Sequence, residues 1–262
     1  MKLRNIINSK KSVLATALFA VGLLITSPEP AVGQSSTRII PKGLAISIPV
    51  GDSLTHGVVT FVTEDTKHFA AFGHGTGEFA SLVNDPSINT PVRQSSVDGI
   101  VIESSIIDGQ EVFGPALNTN PMGTHMGQAT ADTGNAVYGT WSGGSHFAPM
   151  PYGPAQVGPA KIVTTISGSQ PNYLNIEIIY APKNQDCHDQ RILFRITDQF
   201  WPAELRQVAA SGMSGSPLIQ NGMVIGAFND VNFGLEMNSA QPIAPIKREL
   251  VRVIENQAAR SQ

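Results

Sequence analysis

A chain of 262 residues with 41% hydrophobic side chains is long enough to bury a sizeable core. Its 25 glycines and 18 prolines exclude a helical bundle and suit a turn-rich β protein. The formal net charge of −3 argues against the basic face that a nucleic-acid partner needs.

The N-terminus reads apart from the rest. Lys2, Arg4, Lys10 and Lys11 make a basic start, and Val13 to Ile25 is a mostly apolar run. Pro28 and Pro30 break that run, and Ala31-Val32-Gly33 has the small-x-small pattern of a cleavage site. This is the layout of a secretory signal peptide over residues 1–33, with an uncleaved anchor as the alternative. The apolar run is short for a membrane span, which needs about 20 residues. Cutting after Gly33 leaves a chain of net charge near −6, with no stable membrane span. The expected location is secreted or periplasmic. Cys187 is the only cysteine, so no intrachain disulfide forms, and a buried, inert thiol is expected.

Residues 34–43 read as an extended lead-in to a domain over 44–262. Leu44 to Val50 and Val58 to Thr63 are short β-like runs, and Glu64 to Lys67 is a turn before a returning strand, Phe69 to Phe72. Val97 to Ile107 reads as one or two strands ending at an Asp108-Gly109 turn. Residues 114–159 are dense in Gly, Pro, Asn, Thr and Ser and read as long loops with short strands. Lys161 to Ser167 and Tyr173 to Tyr180 form a hairpin, and Arg191 to Ile196 is a further strand. Pro202 to Ala210 has room for one or two helical turns. Leu218 to Gln220 and Met223 to Phe228 flank Asn221-Gly222, the pairing that favours a type I′ turn. Pro245 to Gln257 reads as a helix with Ile246, Leu250, Val253 and Ile254 on one face.

One run carries the chemistry: Gly212-Met213-Ser214-Gly215-Ser216-Pro217. Its glycines permit backbone angles that side chains forbid, so the turn can aim N–H groups at one point and form an oxyanion hole. A serine hydroxyl becomes a nucleophile when an imidazole takes its proton. Of His56, His68, His74, His125, His146 and His188, the best placed is His74, at a strand end between two glycines. An α/β-hydrolase elbow does not fit, because Ser216 stands at its final glycine position and a hairpin follows instead of a helix. There is no P-loop and no HExxH, so neither a cofactor nor a metal is expected. For the carboxylate that would steady the histidine, spacing leaves Asp98, Asp108, Asp132, Asp198 and Asp230 open.

Two blocks together resemble the peptidase domain of stage IV sporulation protein B. The first runs from Gly57 to Phe61 and through Phe69 to His74; the second is Gly212 to Ala227. Gly158 to Ile162, Asn175 to Ile178 and Phe194 to Asp198 add weaker similarity. The resemblance covers about residues 44–250. It implies a mainly β, chymotrypsin-like double β-barrel with a C-terminal helix, acting as a serine endopeptidase on protein or peptide substrates through an acyl-enzyme, and self-cleavage, for which the region near Gln34 to Lys42 is the exposed candidate. It also implies His74 as base, Ser214 as nucleophile and Asp198 as acid, with the backbone N–H groups of Gly212 and Ser214 as the oxyanion hole. The chain departs from the family in lacking room for a PDZ domain after the signal. It departs again in Gly75-Thr76-Gly77-Glu78 after His74, and in Phe228-Asn229-Asp230 where the family continues with Thr-His. Those departures motivate an alternative, a catalytically silent peptidase-like domain that binds peptides or an envelope partner. Oligomeric state has no signature in the sequence.

Overall fold

The computed structural model describes residues 38–50, 53–65, 67–74, 89–107, 110–144, 147–205, 207–232, 236–260 and 262. The signal-peptide reading of residues 1–33 lies outside them. All belong to one compact unit, Ser36–Gln262.

Two six-stranded antiparallel barrels account for most of this unit. The first contains β1 (Ile39–Val50), β2 (Ser53–Thr63), β3 (His68–Ala71), β4 (Thr90–Ile107), β5 (Gln110–Asp132) and β6 (Val137–Trp141). They are ordered β1-β2-β3-β6-β5-β4 and closed by pairing of Ile46 and Ser47 with Gln94 and Arg93. The second contains β7 (Gly158–Thr164), β8 (Asn172–Tyr180), β9 (Ile192–Ile196), β10 (Pro217–Gln220), β11 (Met223–Asn232) and β12 (Met237–Pro242). They are ordered β10-β11-β12-β9-β8-β7 and closed where Leu218 meets Ile162. This is the chymotrypsin-like double barrel. One helix, α1 (Ile243–Arg260), ends the chain.

Alternation explains the strands of the second barrel. In β8, Leu174, Ile176 and Ile178 are buried and the residues between them exposed, the two-residue period of a half-buried strand. They pack with Ile192, Phe194, Leu218, Ile225 and Phe228 inside that barrel. The first barrel is filled by Ile46, Ile48, Val59, Val62, Phe69, Val92, Val137 and Trp141. A third cluster joins Phe61, Ala70 and Tyr138 of the first barrel to Val224 and Ala227 of the second, and α1 covers it with Ile243, Ile246 and Leu250.

Three expectations need correction. The segment over 114–159 is not mainly loop: β5 is a single 23-residue strand and pairs with β4 from Thr90↔Ala129 out to Ile107↔Gln110. Part of this hairpin is wet on both faces, with Val101 to Glu103 and Asn120 to His125 exposed, so it carries no apolar period to read. Pro91, Gly99, Pro121, Gly123 and Gly127 sit at or beside register shifts at Val92/Arg93, Arg93/Ser95 and Val97/Gly99, where bulges absorb them. The lead-in is, from Ile39 on, already β1, and Ile39 to Lys42 are buried, which removes them as an exposed self-cleavage segment. Cys187 is exposed, because it lies on the loop between β8 and β9. Pro202 to Ala210 holds a 3-10 turn, Ala203–Leu205, in keeping with the helical turn expected there.

Candidate active site

Ser214 sits on the loop entering β10, and His74 follows β3; hydrogen bonds from Val58 to Ser214 and from Asn229 to Gly73 join the two barrels at these loops. Backbone hydrogen bonds stitch the seam. Val58 of β2 donates its N–H to the Ser214 carbonyl at 2.8 Å, and Phe72 donates to the Val58 carbonyl at 3.1 Å. Gly215 donates to the Phe228 carbonyl at 2.8 Å. Gly215 has φ +95°, and a Cβ there would stand 2.2 Å from the Val58 oxygen and 2.4 Å from the Phe72 nitrogen. Only glycine allows this approach.

Asn229 on β11 touches both loops. Its side-chain amide donates to the Gly73 carbonyl at 2.6 Å, and its own carbonyl accepts the Ser214 hydroxyl at 3.5 Å. One residue thus joins the His74 segment to the serine. The half-buried His74 ring packs edge-on against Phe72, with centroids 6.4 Å apart and an interplanar angle of 69°. Phe72 itself has φ +71°, an unusual conformation for a residue with a side chain. It directs the chain abruptly out of β3 toward the second barrel.

The turn around Ser214 sorts its N–H groups. Met213 donates to Ala210, Gly215 to Phe228 and Ser216 to Met213. Among the described residues, the N–H groups of Gly212 and Ser214 have no acceptor. An oxyanion hole needs two open donors of this kind aimed at one point. The Ser216 hydroxyl, bonded to the Met213 carbonyl at 2.6 Å, braces the turn from beneath.

Asp198 lies elsewhere. It follows β9, and its carboxylate accepts the Asn175 N–H at 2.9 Å, the Asn175 side-chain amide at 3.0 Å and the Phe200 N–H at 3.0 Å. The structure brings Ser214, Gly212 and the His74 segment together, and holds Asp198 on the second barrel beside β8. Asp98 bonds Asn120, and Asp230 bonds the N–H of Val231. Asp132, the last residue of β5, is fully buried and accepts the Gly134 N–H at 2.8 Å; Asp108 is outside the described residues. Asn229 was visible in the sequence only as a departure from the family pattern; its linking role had no local signal. No group of three or more His, Cys, Asp or Glu side chains suited to a metal occurs among the described residues.

The model of the SpoIVB peptidase S55 family matches residues 44–234. The chain belongs to the SpoIVB peptidase S55 family. The match takes in both seam-forming loops and the strands that carry them, and membership makes a protein the expected class of substrate. The search of curated proteins returned no match. Among solved structures, the chain is similar to the Rv3671c protease of M. tuberculosis in its active form, at 13% identity and TM-score 0.43, over 85% of this chain and 92% of that one. It is similar to human heparin binding protein at 10% identity and TM-score 0.43, over 82% and 92%. It is also similar to tobacco etch virus protease complexed with product, at 14% identity and TM-score 0.39, over 86% and 79%. No helix among the described residues of this S55 family member is long and apolar enough to cross a membrane.

Proposed function

We propose that this protein is an exported serine endopeptidase that cleaves peptide bonds through an acyl-enzyme. Ser214 attacks the scissile carbonyl, His74 takes the hydroxyl proton and returns it to the leaving amine, and water then clears the ester. The Gly212 and Ser214 N–H groups receive the charge that develops on the carbonyl oxygen. The observation that carries this reading is the pair of open N–H donors on the Ser214 turn, on a loop that Asn229 ties to the His74 segment. The reading rests on Ser214 and His74. The acid role that the resemblance implies for Asp198 does not follow from its contacts, which are to Asn175 and Phe200. The basic and then apolar N-terminus supports export to the periplasm or the exterior.

A fluorophosphonate probe tests the proposal on the purified protein. Covalent labelling of Ser214, absent in Ser214→Ala and accompanied by loss of peptide cleavage in that variant, is the expected result. Folded protein that stays unlabelled from acid to alkaline pH, while still holding peptides, would instead leave a silent binding domain.

A further inference from the structure

A polar cavity of about 330 Å³ opens directly beside the Ser214 turn. The nucleophile loop supplies one wall through Ser211 and Gly212; β2, β4 and β5 supply the rest through His56, Glu103, Leu117 and Asn118. The walls are held in register with the nucleophile. Leu117 donates its N–H to the Ser211 carbonyl at 2.9 Å, and Ser211 donates to the Pro115 carbonyl at 2.8 Å. On the other side, His56 is two residues from Val58, whose N–H holds the Ser214 carbonyl. Gly212, one of the two open N–H donors, is itself part of the lining. A substrate whose carbonyl oxygen rests on that N–H therefore has a neighbouring side chain within reach of the cavity.

The chemistry of the walls is one-sided. Among the described lining residues, Glu103 carries the only formal charge at neutral pH, and none is a lysine or arginine. Burial holds the His56 ring below the ordinary imidazole range, against the opposite pull of Glu103, so the imidazole is neutral there. Its Nδ1 lies 2.9 Å from the Ser47 hydroxyl, which in turn lies 2.5 Å from the Ser95 hydroxyl. This fixes the ring and leaves Nε2 for a ligand. The Asn118 amide and Ser211 hydroxyl add hydrogen-bonding capacity. The volume is at the lower end for ligand pockets and suits one long side chain.

We propose that this cavity is a specificity subsite that receives a lysine or arginine side chain within two residues of the scissile bond, with Glu103 as its counter-charge. The proposal deepens the peptidase reading and rests on it. Glu103 is solvent-exposed, so the pair is partly screened and the preference is modest, roughly tenfold in kcat/KM over an uncharged residue.

The test is a peptide library varied on both sides of the cleaved bond, digested by the full-length protein and read by mass spectrometry. The expected result is enrichment of Lys and Arg at one position, lost in Glu103→Gln and turned toward Asp and Glu in Glu103→Lys. Cleavage by the wild type without that enrichment, or enrichment that survives in both Glu103 variants, overturns the subsite and leaves the peptidase reading standing. No turnover by the wild type, together with no fluorophosphonate labelling, removes both.

Discussion

The side-chain amide of Asn229 donates to the Gly73 carbonyl at 2.6 Å, across 156 positions of sequence. Because the Asn229 carbonyl also meets the Ser214 hydroxyl, this bond sets how the histidine segment stands against Ser214, the proposed nucleophile. Proton transfer requires the two side chains to reach hydrogen-bond distance.

Asn229→Ala is therefore expected to lower kcat by about 10- to 100-fold, since a displacement of about 1 Å at a reacting pair costs that much. KM should stay near the wild-type value, because the walls of the proposed subsite are untouched. Steady-state kinetics on a peptide substrate, with thermal melting as a control for folding, checks this. A rise in KM at unchanged kcat would show that Asn229 acts on binding and not on alignment.

Gly215 and Gly222 offer a matched comparison. Both have positive φ, +95° and +74°, but a Cβ on Gly215 collides with backbone atoms of Val58 and Phe72, whereas one on Gly222 meets open space. Gly222→Ala pays only for the left-handed backbone, about 1–2 kcal/mol. Gly215→Ala must in addition push the Ser214 loop off the first barrel, and a loss of about 3 kcal/mol or more is expected. Urea denaturation of the two variants measures the difference, and equal midpoints would contradict the seam geometry.

Lys42 gives a pH signature. Its ammonium is buried in the first barrel, donates to the Gly144 carbonyl at 2.6 Å and lies 5.4 Å from the centre of the Trp141 ring. Burial lowers its pKa from the ordinary 10.5 to about 8. Between these values the unfolded chain binds the proton more tightly than the folded one, so this group's contribution to stability rises with pH from about 8 to 10.5 and is lost as pH falls through 8. Comparing melting temperatures of the wild type and Lys42→Met across that range isolates the effect. The wild type should gain a few degrees relative to the variant as pH rises; parallel curves would refute it.

Much of the second barrel was legible from local pattern. The alternation of Leu174, Ile176 and Ile178 marks β8, and Asn221-Gly222, at φ +50° and +74°, makes the tight turn between β10 and β11. The helix was legible too, since Ile246 and Leu250 lie on its buried face. Of the β4–β5 hairpin, Val97 to Ile107 was legible as strand, but β5 was not, because a strand exposed on both faces needs no apolar alternation. The strand β12 was also missed: Met237 to Pro242 has few β-branched residues and gains its place by pairing with β11 and β9.

The sequence by itself determined the Ser214 turn, the glycines that shape it and the strand that delivers His74, because backbone sterics and side-chain periodicity act over a few residues. Only the tertiary structure decided that Asn229 joins the two loops, that Asp198 turns to Asn175, and that Glu103 faces the same cavity as Gly212. Those relations depend on how two closed barrels pack across one seam, and no short stretch of chain contains the contacts that set it.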